Sequence, residues 1–323
     1  AKDLNVVSGE LYFELHRGTY TTQARTKKNN RLSELLLHDI ELLAAVAPAL
    51  GAKDYAYPRE ELDRLWKLVL LNQFHDILPG SSIHAVYDDS WAQFDDVLAS
   101  GGQLRAAAVA AVDGALPSAP AASGQRVLAI NTTGFDRAEV VELPAGVRDS
   151  AQIGANGAPL GVVTIGPTGI VVESAGAINA RGAALTPVSA TQAGDTVTLE
   201  NEAVRAVFKT DGALVSLYHK ATRREALAAD ARANQFVMFD DDPNDWEAWD
   251  VDVFHLEKRV NVAGATATRV VEHGPLRAAI EFTYQLSARS TLRQIVSLDA
   301  ASAQLAFATD VDWHEDKKFL KVE

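Results

Sequence analysis

Leu65-Trp66-Lys67-Leu68-Val69-Leu70-Leu71-Asn72-Gln73-Phe74-His75-Asp76-Ile77-Leu78-Pro79-Gly80-Ser81-Ser82-Ile83 begins as an apolar helix and ends as a cluster of polar groups. Pro58 is placed to open this helix, and Glu60 and Glu61 fall in its first turn, where the backbone dipole favours carboxylates. Leu62, Leu65 and Val69, with Leu68 and Leu71, give it a broad apolar face. The helix should fray near Asp76, ahead of Pro79-Gly80.

The same periodicity extends on both sides. From Thr21 to about Leu50, Leu32, Leu35, Leu36, Ile40, Leu43 and Val46 recur in steps of three and four, with Thr21 or Thr22 as a cap and Gly51 as a stop. A third helix is expected from Ser82 to Leu116, through Val86, Trp91, Phe94, Val97 and Leu98, with an interruption at Gly101-Gly102. Three helices joined by short loops predict an antiparallel three-helix bundle. A small, Pro-containing, uncharged stretch follows at Pro117 to Gly124.

Beyond it the pattern changes to short strands. Arg126 to Asn131, Glu139 to Leu143, Gly169 to Glu173, Thr196 to Leu199, Arg205 to Phe208 and Leu214 to Leu217 are strand candidates, with an Asp211-Gly212 turn. Later candidates run from Leu276 to Leu286, Leu292 to Leu298 and Leu305 to Val311, and Phe319 to Glu323 is strand-like. The fold class expected is multidomain α+β, a three-helix bundle followed by one or more β-sandwich domains. The divisions are 1–116 with an extended N-terminal segment, a linker at 117–125, a small β region at 126–185, and a β-sandwich region at 186–323 that ends in mid-pattern.

Composition narrows the function classes. A net charge of −13 argues against a nucleic-acid binder and a basic membrane-surface protein. No stretch of the sequence approaches the ~20 apolar residues of a membrane span. With no cysteine there are no disulfides, thiolate metal sites or cysteine catalysis, and a cytoplasmic setting is expected. Residues 1–9 hold no apolar signal core.

Three clusters carry polar chemistry. His75 shares a face with Leu68 and Leu71, which points it inward or toward a neighbouring domain; it reads as a buried structural histidine or as a metal ligand with Asp76 beside it. One histidine is short of the roughly four donors zinc requires. Glu10 to Gln23 reads as a strand-to-helix connection, or as a loop that sets Arg17 and Tyr20 at a polar cleft. Phe239 to Asp252 holds seven acids and two tryptophans, Trp246 and Trp249. It lacks the spacing of an EF-hand and reads as an interface loop or as a sugar-stacking platform. No catalytic carboxylate pair is assigned to it.

Taken together, four stretches resemble glycoside hydrolase family 38, the α-mannosidases. Residues 9–23 look like the entry to that family's middle domain, and residues 65–83 like its helix that reaches the active site. Residues 242–251 and 311–322 are similar to its C-terminal β region. The resemblance implies a zinc-dependent retaining hydrolase acting on terminal α-mannose of glycans or oligosaccharides. It implies that His75 is one zinc ligand and that Asp76 faces the sugar; Arg17 and Tyr20 are expected to bind substrate on the polar-cleft reading of their own loop. It further implies that the nucleophile, the acid/base carboxylate and the other zinc ligands belong to an N-terminal catalytic domain upstream of Ala1, so that this chain alone is inactive. A carbohydrate-binding or structural module without catalysis is the competing reading. A homo-oligomer is compatible with the sequence.

Overall fold

The computed structural model describes residues 4, 6, 16–117, 125–147 and 150–323. The expected strand at Glu10 to Leu15, and most of the expected linker, lie outside the described residues. The chain divides into two compact units, one of residues 1–117 and 241–257, the other of residues 118–240 and 258–323.

The first unit is helical. A 3-10 turn at Gly18–Tyr20 precedes α1 (Ala24–Ala49), followed by α2 (Arg59–Asn72) and α3 (His84–Ala115). Leu36, Leu37 and Ile40 of α1, Leu62, Leu65 and Val69 of α2, and Phe94 and Val97 of α3 form one core. Each side chain of this size contributes about 1.5–3 kcal/mol when fully buried. The core stripe excludes three leucines that the periodicity assigns to it: Leu32, Leu35 and Leu71 are exposed. An apolar stripe wider than the contact with its neighbours leaves its margins uncovered.

Local chemistry moves the helix ends. α1 closes as expected, with the Gly51 N–H donating to the Pro48 carbonyl and the Ala52 N–H to that of Ala47. Its N-cap, however, is Gln23 without a side-chain cap. The Thr22 hydroxyl is drawn instead to the carbonyls of Gly18, at 2.7 Å, and Ala248, at 3.2 Å. α2 stops four residues before Asp76, and at its end the Gln73 side-chain amide donates to Asn30 and Glu34 of α1 at 3.0 and 2.9 Å. Residues 74–80 then continue in tight turns, with Ile77 N to Phe74 O at 2.9 Å and Gly80 N to Ile77 O at 3.1 Å. α3 passes through Gly101-Gly102 without the expected interruption. Gly101 faces α1, where a Cβ would lie 2.8 Å from Leu36 Cδ2, so this glycine serves close packing.

The second unit opens with β1 (Arg126–Ile130), β2 (Arg137–Glu142), β3 (Gln152–Ile153), β4 (Pro159–Ile165), β5 (Ile170–Ser174) and α4 (Ala175–Ala183). β1 pairs with β5, and β2, β4 and β3 form an antiparallel sheet in that order. Next come β6 (Ser189–Ala193), β7 (Thr196–Glu200), β8 (Val204–Lys209), β9 (Leu214–His219), β10 (Arg224–Glu225), β11 (Phe236–Asp240), β12 (Val260–Asn261), β13 (Ala267–His273), β14 (Arg277–Gln285), β15 (Thr291–Asp299), β16 (Leu305–Asp312) and β17 (Lys318–Val322). The sheets β10-β9-β8-β7-β6 and β13-β14-β15-β16 share a core. Val197, Leu199, Ala206 and Phe208 of the first meet Ile280, Phe282, Val296 and Leu298 of the second. Alternation is clear in β8, where Val204, Ala206 and Phe208 are buried in turn. β11 lies between β12 and β17 in a third sheet.

A polar bridge ties the small sheet to the larger one. The Gln152 amide oxygen accepts from the backbone N–H groups of Leu276 and Arg277 at 2.8 and 2.9 Å, and its nitrogen donates to the Arg277 carbonyl at 2.8 Å. The architecture is thus a helical region and a set of antiparallel sheets, the α+β multidomain class expected from the sequence.

Candidate functional site

The turn beyond α2 leaves two functional candidates facing outward. The His75 side chain is 73% exposed and that of Asp76 50%, with Nε2 of the one 3.5 Å from Oδ2 of the other. His75 is therefore no buried structural histidine, and Phe74 stacks against it at 4.2 Å between ring centroids. Leu70, Leu71 and Phe74, all exposed, precede the pair in sequence. On α1, which Gln73 holds against this end of α2, Leu32 and Leu35 are exposed as well.

The backbone beneath the pair is firmly held. The Asp76 carbonyl accepts from the Ser82 hydroxyl at 2.7 Å, and the Tyr87 hydroxyl lies 3.2 and 3.3 Å from the carbonyls of Asp76 and Ile77. Tyr87 is fully buried and also accepts from the Ser82 N–H at 3.0 Å. The Asp76 carboxylate accepts from the Ser81 hydroxyl at 3.2 Å. Lys27, in the first turn of α1, donates to the carbonyls of Thr22, Leu78 and Pro79. Burial pushes the Lys27 ammonium below the ordinary lysine range.

Arg17 and Tyr20 sit at the 3-10 turn preceding α1, and Tyr20 is exposed. This turn joins the His75 turn to the acidic loop. Gly18 N donates to the Trp249 carbonyl at 2.9 Å, and His16 meets Trp249 edge to face at 5.1 Å. On its other side Thr22 lies against Gly80. Trp246 is exposed and held at a φ of +66°, whereas Trp249 is partly buried. In the same loop burial pushes the Asp241 carboxyl above its usual range, and His255 opposes that shift.

Donor chemistry decides what this chain can hold. A zinc site needs about four donors at ~2.0–2.3 Å. His75 and Asp76 offer two donors at most, and no group of three or more histidine, aspartate or glutamate side chains is placed to hold a metal among the described residues. The described residues do not by themselves bring together a zinc site; His75 presents an exposed imidazole as a single donor. Among the described residues no helix is long and apolar enough to cross a membrane. Sequence reasoning passed over Lys27, Tyr87 and Gly80. A lysine in the first turn of a helix, where the dipole disfavours a cation, was the available signal.

Comparison with known proteins supplies the family. Residues 14–112 match the alpha mannosidase middle domain, and residues 199–323 match the glycosyl hydrolases family 38 C-terminal domain. Alpha-mannosidase 2C1 of Mus musculus is 41% identical over 317 residues, covering 98% of this chain and 29% of that protein. The alpha-mannosidase of Saccharomyces cerevisiae is 30% identical over 335 residues, covering 99% and 27%. This chain spans less than a third of the length of these relatives. A crystal structure of an alpha-mannosidase from Enterococcus faecalis has the same fold over 94% of this chain and 43% of its own, with a TM-score of 0.68 at 17% identity. With both family domains matched in order and α-mannosidase relatives aligned along nearly its whole length, the chain belongs to glycosyl hydrolase family 38, the α-mannosidases.

Proposed function

We propose that this chain supplies the middle and C-terminal portion of an enzyme that hydrolyses terminal α-linked mannose from glycans or oligosaccharides. The observation that carries the proposal is the outward-facing His75–Asp76 pair on a rigidly held turn, bordered by exposed leucines and a phenylalanine. Several large apolar side chains left exposed close together beside a polar pair fit a surface that meets something else. In this reading the surface meets the catalytic portion of a longer protein.

His75 acts as one donor to a zinc ion whose remaining donors lie outside this chain, and Asp76 contacts the sugar. Arg17 and Tyr20 contribute to substrate binding from the neighbouring turn. The reaction is the retaining one, in which two carboxylates about 5–5.5 Å apart act as nucleophile and acid/base. Neither is assigned to this chain, so the 323 residues alone are inactive.

The test is hydrolysis of an aryl α-mannoside with added zinc. It compares the 323-residue chain, a longer protein that adds the catalytic portion, and His75→Ala in each. The proposal expects turnover only from the longer protein, abolished by His75→Ala. Turnover by the 323-residue chain would place the complete catalytic set within these residues and overturn the assignment. Equal activity of the longer protein with and without His75 would remove the histidine from the reaction.

A further inference from the structure

Lys27 stands where a helix disfavours a cation. α1 carries no acid in its first turn, and the positive end of its dipole opposes the ammonium. The compensation lies off the helix. Lys27 Nζ donates to the Thr22 carbonyl, to that of Leu78 at 2.7 Å and to that of Pro79 at 3.3 Å. An ammonium has three N–H donors, so all three are used.

Leu78 and Pro79 follow His75 by three and four residues. With the Ser82 and Tyr87 hydroxyls on Asp76 and Ile77, every carbonyl from residue 76 to residue 79 is met by a side chain from outside the turn. The imidazole and carboxylate themselves are mostly exposed. Their placement is thus set by the backbone beneath them, and Lys27 holds the downstream half of that backbone.

We infer that Lys27 is a positioning residue for His75 and Asp76, fixing the turn that presents them. This rests on the proposed role of the pair. It adds that a part-buried cation on α1 sets their geometry, and that loosening it costs activity through His75. A displacement of about 1 Å in a reacting group costs roughly 100-fold in rate, so a modest shift of this turn is measurable.

The test uses Lys27→Met, which keeps the stem and removes the donors. Hydrogen exchange on the 323-residue chain reads the amides of Ile77, Leu78 and Gly80 against those of α2. The inference expects exchange at these three amides to quicken at least about tenfold, with α2 unchanged, as for a locally opened segment. In the longer enzyme it expects kcat/KM on an aryl α-mannoside to fall by about 10- to 100-fold, and the Lys27→Met/His75→Ala double variant to be no worse than His75→Ala alone, since the two act as a unit. Wild-type exchange at the turn, loss of protection throughout α1 and α2, or additive losses in the double variant would overturn it. Should Lys27→Met fail to fold, Lys27→Ala, which also removes all three donors, is read the same way: quickened exchange confined to the turn supports the inference, and wild-type exchange overturns it. The exchange arm needs no mannosidase activity, so it separates failure of the clamp from failure of the functional proposal.

Discussion

Gly80→Ala strikes the turn that carries His75 and Asp76 where it packs against Thr22. Gly80 has a φ of +103°, and a Cβ there would lie 2.7 Å from Thr22 Cγ2 and 2.9 Å from both Thr22 Cβ and the Thr22 carbonyl oxygen. An L residue held at such a φ costs about 1–3 kcal/mol. Overpacking of this severity typically costs about 1–3 kcal/mol more. Thr22 cannot simply rotate away, because its hydroxyl is engaged with Gly18 and Ala248 and its carbonyl accepts from Lys27. The expected loss is therefore about 2–6 kcal/mol for the helical unit. Urea unfolding followed by tryptophan fluorescence reads it, since Trp66, Trp91, Trp246 and Trp249 lie in that unit and only Trp313 outside it. Thr22→Ser removes the closest contact and leaves the other two. In that background the cost of Gly80→Ala should fall by about 1 kcal/mol, a coupling of the size expected for touching residues. A loss under about 0.5 kcal/mol, or one unchanged by Thr22→Ser, would refute the steric argument.

Two further perturbations separate competing effects. At Gly101→Ala the better helix propensity, about 1 kcal/mol, meets a Cβ 2.8 Å from Leu36 Cδ2, while at Gly102→Ala nothing lies within 4 Å. Thermal unfolding should therefore show Gly102→Ala stabilising by about 0.5–1 kcal/mol and Gly101→Ala neutral to destabilising by about 1–2 kcal/mol. Glu281, buried on β14, accepts from Arg269 Nε at 2.8 Å and Arg293 Nε at 2.7 Å, and the Arg269 guanidinium, then that of Arg293, holds its carboxyl below the usual glutamate range. A depressed folded-state pKa gives stability that is present above the unfolded value and lost as pH falls through the folded one. Both arginines are largely exposed and regain water when the carboxylate is removed, so Glu281→Gln should cost only about 1–2 kcal/mol near neutral pH. Urea titrations should show the gap between wild type and variant narrowing as pH falls below the ordinary glutamate range; a gap that does not change with pH would contradict the ion-pair account.

How much of this was legible in the sequence varied with the kind of signal. Steps of three and four placed all three long helices, because an amphipathic stripe is a local property. Which margin of the stripe is covered is not local: Leu71 and His75 share the predicted apolar face, yet both are exposed. β8 was read as a short strand-forming run ahead of the Asp211-Gly212 turn. β4, a strand no alternation marks, was missed because Pro159, Leu160, Gly161, Val162 and Val163 are buried on both faces. α4, with two glycines in nine residues, has little intrinsic helicity and depends on the Ser174 cap at the Ala177 N–H and on the ion pair of Arg181 with Glu173.

The candidate site was legible in part. The polar end of α2 named His75 and Asp76, and the family resemblance gave them roles. The clamp beneath them was out of reach, since Lys27 lies 51 and 52 residues from the carbonyls it holds. The acidic loop was read as an interface or a platform. Its grouping with the helical unit depends on contacts between Gly18, Thr22 and residues 248–249, more than two hundred positions away in the chain.

The central claim is that His75 serves mannoside hydrolysis in a longer protein that contains this chain. The most direct measurement is kcat/KM on an aryl α-mannoside, with bound zinc determined in the same samples, for that longer protein and its His75→Ala variant. The account predicts a fall of roughly 100-fold or more together with reduced zinc, the scale of losing a group fixed in the reacting geometry. Undiminished hydrolysis and zinc content in the variant would contradict it.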